Sequence, residues 1–298
     1  MHSGVLLLDK PLGLSSNAAL QRVRALFARE KAGHVGSLDP LATGMLPICL
    51  GEATKIAGDI LAGRKCYRFT AGLGRATSTG DAEGEVIRTA PVPPLTRAGL
   101  TALLARFIGT QSQVPPMYSA LKQAGQPLYK LARAGVSVPR APRTIELSRL
   151  SLLDFAADSV EIEAVCSKGT YIRVLAEDIG AALGTCARVT ALRRLWVEPF
   201  ADEPMHTLAT LEAIRQRGQW PALMAVDTPL RHLPSVTLDA VDAQRMLKGQ
   251  RVFAGSGMAA PRVRLYDPTG LFLGLGEQDG SGGLEPRRLM RIGLTPER

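Results

Sequence analysis

Twelve residues constrain this chain more than any others: Gly33-His34-Val35-Gly36-Ser37-Leu38-Asp39-Pro40-Leu41-Ala42-Thr43-Gly44. They hold three glycines, a proline, a histidine and a carboxylate. That density of Gly and Pro predicts a shaped loop rather than a helix or strand. Asp39 precedes Pro40, and steric conflict with the proline ring pushes the preceding residue toward extended backbone. Val35 and Leu38 lie on one side, and the apolar run Met45-Leu46-Pro47-Ile48-Cys49-Leu50 follows on the other. A carboxylate on a stiff bend between apolar anchors is what a pre-organised site requires. By residue type alone an Asp-Pro turn of purely structural purpose fits equally well, and His34 alone reads as a hydrogen-bonded structural residue.

Around the loop, hydrophobic periodicity predicts alternating short elements. Residues 4–9 read as a buried strand closed by the Lys10-Pro11-Leu12-Gly13 turn. Ser15 or Ser16 can cap a helix reaching about residue 29, with Leu20, Val23, Leu26 and Phe27 on one face. A helix over 52–61, a strand over 65–73, a polar loop over 74–84 and a strand over 86–89 follow. Strands over 144–153 and 160–167 can pair as a hairpin. Then come a helix over 170–183 stopped by Gly184, a strand over 186–197 and a helix over 207–217. Short strands mixed with helices imply an α+β fold. Beyond about residue 227, Gly and Pro become frequent around short apolar stretches at 263–266 and 271–275, which predicts a second, small β-rich unit. The expected division is 1–227 and 228–298.

Charge narrows the partner. Lys and Arg number 36 against 27 Asp and Glu, a net +9 that favours a polyanion. Residues 86–145 contain no acid, yet carry Arg88, Arg97, Arg106, Lys122, Lys130, Arg133, Arg140 and Arg143, with Tyr118 and Tyr129 among them. Such a strip reads as a surface that follows a phosphate backbone. The cysteines, Cys49, Cys66, Cys166 and Cys186, form no Cys-x-x-Cys pair, so neither a zinc site nor a disulfide framework is expected. Free thiols suit a reducing cytosol. The apolar run at 5–8 is too short for a signal peptide, and no stretch approaches the ~20 residues that span a bilayer. The expectation is a soluble, cytoplasmic protein without membrane association. No dinucleotide fingerprint, P-loop or metal-ligand cluster marks the sequence for a cofactor or a metal.

The Gly33–Gly44 stretch resembles the signature loop of the TruB-type tRNA pseudouridine synthases, whose Leu-Asp-Pro aspartate is essential; here that residue is Asp39. Lys10-Pro11-Leu12-Gly13-Leu14-Ser15-Ser16 resembles the family's N-terminal segment. Lys65-Cys66-Tyr67 with Leu73-Gly74, Lys168-Gly169-Thr170-Tyr171-Ile172-Arg173, and Leu192-Arg193-Arg194-Leu195 resemble further segments, in family order. The resemblance implies a pseudouridine synthase fold, with a mixed, largely antiparallel sheet, flanking helices and a C-terminal PUA-like RNA-binding domain. It also implies that 115–143 is a basic, RNA-gripping insertion, with Lys122, Lys130, Arg133, Arg140 and Arg143 as its RNA-binding residues.

The implied activity isomerises the uridine at position 55 in the tRNA T loop, by base flipping and without cofactor. Asp39, Tyr67 and Arg173 would be catalytic. Arg173 would orient Asp39, and Tyr67 would stack on the flipped base and act as general acid or base. His34, Tyr171 and Leu192 would bind the displaced nucleotide. Three steps stay open to Asp39: attack at C6, attack at C1′, or removal of the C2′ proton. The expected partner is the tRNA T stem-loop, with no guide RNA and no obligatory protein partner. Two other classes remain: an RNA-folding factor in which chemistry is secondary, and a hydrolase releasing free uracil.

Overall fold

The computed structural model describes residues 2–123, 125–253, 261–279 and 281–291. In its first part the strands are β1 (Gly4–Lys10), β2 (Ala32–His34), β3 (Ala42–Leu50), β4 (Lys65–Leu73), β5 (Arg75–Thr77), β6 (Val86–Thr89), β7 (Gly109–Gln113), β8 (Lys122–Gln123), β9 (Gln126–Pro127), β10 (Arg143–Ala156), β11 (Ser159–Cys166) and β12 (Ala187–Val197). The helices are α1 (Ser16–Leu26), α2 (Ala57–Ala62), α3 (Arg97–Ala105), α4 (Leu128–Arg133), α5 (Ile172–Ala182) and α6 (Leu208–Gln216).

One sheet of eight strands organises this body, in the order β1-β3-β12-β4-β11-β10-β7, with β2 added on β3. Neighbours run antiparallel except β12 and β3, which are parallel over Leu192–Arg194 and Ala42–Gly44. This α+β arrangement, with its mixed, largely antiparallel sheet, agrees with the expectation. Alternation along β1 shows why the run Val5-Leu6-Leu7-Leu8 is apolar throughout. Leu6 and Leu8 join the core beneath α1, α5 and α6, while Val5 and Leu7 join a second core on the opposite face. The outer edge of β1 is covered, because Val5 exchanges backbone hydrogen bonds with Met224 while His206 bonds to Leu7 and Asp9.

The C-terminal part is a five-stranded sheet ordered β13 (Ser235–Thr237), β15 (Arg262–Tyr266), β16 (Phe272–Gln278), β17 (Gly283–Leu289), β14 (Val252–Phe253). Helix α7 (Ala240–Leu247) covers it and places Met246 against Val263, Leu265 and Leu284. The sheet is docked, because Phe272, Leu275 and Met290 complete the second core of the body. Polar contacts rim that junction: Lys55 Nζ donates to Leu289 O at 2.8 Å, the Arg291 amide to Glu52 at 2.6 Å, Arg262 to Asp59 at 2.8 Å and the Tyr266 hydroxyl to Asp227 at 2.7 Å.

Several boundaries differ from the sequence expectation. Gly33 and His34 extend β2 and Ala42–Gly44 open β3, so the free loop is shorter than the Gly/Pro content implied. Helix α1 stops at Leu26 rather than residue 29. Ala28 and Arg29 take positive φ, and the Arg24 side chain donates to the carbonyls of Arg29 and Glu30. The predicted helix at 52–61 is a 3-10 turn, Gly51–Ile56, running into α2. Strand β5 lies inside the expected polar loop. Helices α3, α4 and α7 were not anticipated. All four cysteines are buried and free. Among the described residues no helix is long and apolar enough to cross a membrane.

Candidate active site

The loop between β2 and β3 carries Asp39 and is fastened from below. The Ser16 hydroxyl, at the start of α1, donates to Leu38 O at 2.9 Å and accepts from the Leu38 amide at 2.7 Å. Lys10 at the end of β1 is fully buried. Its ammonium donates to Leu14 O at 2.6 Å, Pro11 O at 2.9 Å and Pro40 O at 3.5 Å. The Gly13 amide also reaches Pro40 O, at 2.9 Å. The Lys-Pro-Leu-Gly turn is therefore built around a buried cation that grips the bend next to Asp39. Burial pushes the Lys10 ammonium down to about 8, with Asp39 working in the opposite direction.

Above the bend, Arg173 Nε meets Asp39 Oδ2 at 3.0 Å. Arg173 projects from the first turn of α5 and is buried. Its remaining donors reach Thr79 O at 2.7 Å and Tyr118 O at 2.5 Å. The start of α5 is held in turn by Gln113 of β7, whose side-chain amide accepts from the Tyr171 amide at 2.8 Å and donates to Tyr171 O at 3.2 Å. A second carboxylate, Asp81, lies 3.8 Å from Arg173 and is itself buried. It takes hydrogen bonds from the Thr79 hydroxyl at 2.5 Å and the Glu83 amide at 3.1 Å. One guanidinium thus faces two carboxylates. The Asp39 carboxyl is held above its ordinary value because burial outweighs the opposing pull of Arg173, and Asp81 adds to the rise.

These groups open into a cavity of about 340 Å³. Asp39, Tyr67, Tyr171, Arg173 and Leu192 all line it, together with Lys65, Lys168 and Arg194. Tyr67 comes from β4, Leu192 from β12, and Tyr118 and Ser119 from the segment after β7. The Tyr67 ring is buried, which raises its hydroxyl above the normal phenol range against the counter-pull of Arg194. The Tyr171 hydroxyl is raised by burial and held by Ser119. His34 is not among the lining residues. It is half-buried on β2, and its Nδ1 has no hydrogen-bond partner among the described residues. No cluster of His, Cys, Asp or Glu suited to a metal occurs among the described residues.

The residues of the basic strip are spread over several elements. Helix α3 buries Leu100, Leu103 and Leu104, and Arg97 packs over the Phe155 ring at 5.6 Å. Lys122, Lys130, Arg133 and Arg143 are exposed, Arg133 leaning on the Tyr129 ring at 5.7 Å. Arg140 is partly committed inward, donating to Pro115 O at 3.2 Å.

Sequence reading passed over two residues that the structure puts at the centre. Asp81 was hidden in a polar loop with nothing to mark it. Arg194 was readable, since it shares one strand face with buried Leu192, and an arginine at an inward position of a strand calls for an explanation.

The sheet has the form of a pseudouridine synthase fold, and solved structures share that fold. A Cbf5–Nop10–Gar1 complex superposes with a TM-score of 0.71 at 25% identity, covering 94% of this chain and 79% of that one. An archaeal box H/ACA Nop10–Cbf5 complex superposes at 0.70 with 21% identity, covering 96% and 86%. Sequence relatives narrow the group. The model of the TruB family pseudouridylate synthase N-terminal domain matches residues 24–172. Two further models, a tRNA pseudouridylate synthase B C-terminal domain and a TruB pseudouridine synthase II C-terminal region, match 173–233 and 234–290. A protein named tRNA pseudouridine synthase B from Methylobacillus flagellatus is 49% identical over 288 residues, spanning 97% of this chain and 95% of its own. One of the same name from Stutzerimonas stutzeri is 50% identical over 293 residues, spanning 97% and 96%. The chain belongs to the TruB family of pseudouridine synthases.

Proposed function

We propose that this protein converts uridine to pseudouridine at position 55 in the T loop of tRNA, on a base flipped into the Asp39 cavity. The observation that carries the proposal is the Asp39–Arg173 pair at 3.0 Å, opening into a cavity that Tyr67 also lines. Relatives about 50% identical over nearly the whole chain that are named for tRNA support the substrate class.

The reaction breaks the N1–C1′ bond, turns the uracil and joins C5 to C1′, so N1 gains a proton and C5 loses one. Asp39 is the oxygen nucleophile or base that starts it, at C6, C1′ or the C2′ proton. Arg173 keeps its carboxylate aimed, using a planar fork of donors that stays charged. Tyr67 stacks on the base, gives its hydroxyl proton to the detached uracil and takes back the C5 proton. Tyr171 and Leu192 close the pocket around the ring, and His34 supports the RNA where the nucleotide has left its stack. Unstacking costs a few kcal/mol, which contacts inside the cavity offset.

Residues 1–227 form the catalytic part, within which 115–143 grips RNA through Lys122, Lys130, Arg133, Arg140 and Arg143. Residues 228–298 form a PUA-like RNA-binding part. The enzyme acts in the cytoplasm on the T stem-loop without guide RNA, cofactor or obligatory protein partner.

The test is incubation of pure protein with unmodified tRNA transcript, without guide RNA or metal, followed by mapping of pseudouridine. Product at position 55 is expected, and its absence there defeats the proposal. In Asp39→Asn, product formation should fall by about 10²–10⁴-fold, the range of a lost acid–base group. An RNA-folding contribution from the basic surface would survive that substitution.

A further inference from the structure

Arg194 and Tyr67 stand directly opposite each other in the register of β12 and β4. Both line the cavity, and the Tyr67 hydroxyl interacts with the Arg194 guanidinium. Arg194 is 1% exposed, among the largest fully buried side chains of the protein. Its Nε donates to Met45 O at 2.6 Å, and one terminal nitrogen donates to Gly36 O at 2.9 Å and Val35 O at 3.5 Å. The Gly36 and Met45 carbonyls flank the Asp39 bend as its feet, Gly36 before it in the loop and Met45 after it in β3. The guanidinium ties those feet together.

The loop is also fitted around position 194. Gly36 has φ +72°, and a Cβ there would sit 3.1 Å from an Arg194 terminal nitrogen. Gly44 has φ +98°, and a Cβ there would collide with the Arg194 carbonyl. Gly36 therefore leaves room for the guanidinium, while Gly44 leaves room for the β12 backbone at position 194.

Fold stability alone does not account for the charge. Among the described residues no carboxylate pairs with Arg194, and its hydrogen-bond acceptors are carbonyl oxygens. Lys65, two residues from Tyr67 on β4, is a further buried cation beside the same cavity, donating to the carbonyls of Leu61 and Gly63. Buried charge without a counter-charge is costly, and apolar residues of similar volume usually serve a core better. The charge has a use if an anion forms beside it during the reaction.

We propose that Arg194 is a positioning residue for the isomerisation: it fixes the feet of the Asp39 loop and stabilises the phenolate of Tyr67. The inference rests on the acid–base reading of Tyr67 given above. The Tyr67 proton passes to the detached uracil, the phenolate persists against the guanidinium, and it takes the C5 proton once the C5–C1′ bond has formed. Atoms and charge balance, and Tyr67 ends as it began. The charged or titratable groups that act on its hydroxyl are Arg194 from β12, Cys166 from β11 and Asp39 from the loop. Burial opposes the phenolate, Cys166 and Asp39 oppose it further, and Arg194 favours it.

The experiment uses the full chain with Arg194→Met and Arg194→Lys. A polyfluorinated tyrosine at position 67, more acidic than tyrosine, brings the phenolate transition into an accessible pH range and reports it by absorbance without RNA. Arg194→Met should lower kcat by at least about tenfold with the KM for tRNA within about threefold, because the fork is lost and binding contacts are kept. Its position-67 phenolate should appear at least about one pH unit higher than in the parent. Arg194→Lys keeps a charge without the fork and should fall between. Wild-type kcat in either folded variant, or an unmoved phenolate transition, overturns the proposal. Arg194→Lys carries both readouts if Arg194→Met does not fold. Failure of the parent to make pseudouridine would defeat the functional reading, while the RNA-free titration would still report whether Arg194 governs Tyr67.

Discussion

Arg173 donates from Nε to Asp39 Oδ2 at 3.0 Å while its neighbouring nitrogen lies 3.8 Å from Asp81. The two carboxylates compete for one guanidinium, and their effects on Asp39 have opposite signs. Arg173 lowers the Asp39 pKa, whereas Asp81 and burial raise it. Removing a cation favours the protonated acid, so Arg173→Met should shift the acid limb of kcat/KM to higher pH. Removing an anion favours the carboxylate, so Asp81→Asn should shift it to lower pH. The check is a pair of pH–rate profiles on saturating and limiting tRNA. Limbs that both coincide with that of the parent would mean Asp39 ionisation does not govern the rate.

A stability prediction follows from Lys65. Burial pushes its ammonium from 10.5 down to about 8. The unfolded chain then binds more protons than the folded one between those values. The unfavourable contribution of Lys65 is complete below about 8 and fades as pH rises toward 10.5. The stability of the wild type relative to Lys65→Met should therefore increase across that window, by on the order of 1–3 kcal/mol. Urea denaturation at both ends of the window measures it, and a flat difference would contradict the buried, uncompensated ammonium.

Gly44 makes a third case. Its φ of +98° and the Arg194 backbone behind it leave no space for a methyl group. Gly44→Ala should destabilise the protein by more than about 2 kcal/mol, combining backbone strain with the parting of β3 from β12. Thermal melting compares it with Gly33→Ala, where a Cβ meets nothing within 4 Å. Equal melting temperatures for the two variants would refute the close packing.

Salt tests the basic insertion. Lys130 and Arg143 are exposed and point no side-chain hydrogen bond at the protein among the described residues. If each neutralises a phosphate, replacing either by Ala should reduce the slope of log K against log salt by about one unit. Arg140, already donating to Pro115, should change the slope less. Filter binding of tRNA at several salt concentrations decides between phosphate contacts and a merely solvated surface.

Local pattern carried β1, β4, β6, β10, β11, β12, β15 and β16 and the helices α1, α2, α5 and α6 into view, while β3 was read only as an apolar run. The alternation over residues 65–73 and the Gly184 stop after α5 were readable because each depends on neighbours in sequence. Tyr67, Tyr171, Arg173 and Leu192 were named from motif resemblance, and the fold brings all four around Asp39. His34 belongs to the same motif yet lies outside the cavity wall, since β2 carries its side chain elsewhere. Asp81 and the structural use of Arg194 were illegible for a different reason. Asp81 reaches Arg173 from 92 positions away in the chain, and the Arg194 acceptors lie about 150 positions distant. Only the assembled sheet makes such pairs. Helix α1 ran short because Arg24 captures the carbonyls just beyond it, an event no propensity records.

Lys10 and Ser16 hold one flank of the Asp39 bend, and Arg194 holds its base. A hinge needs slack, and this bend has none. The protein presents its carboxylate as a fixed anvil, so adjustment on docking falls to the nucleic acid. On the base-flipping mechanism proposed above, an RNA whose loop yields readily would be modified faster than a stiffer one, and recognition would become partly a measure of how easily the partner can be bent out of shape.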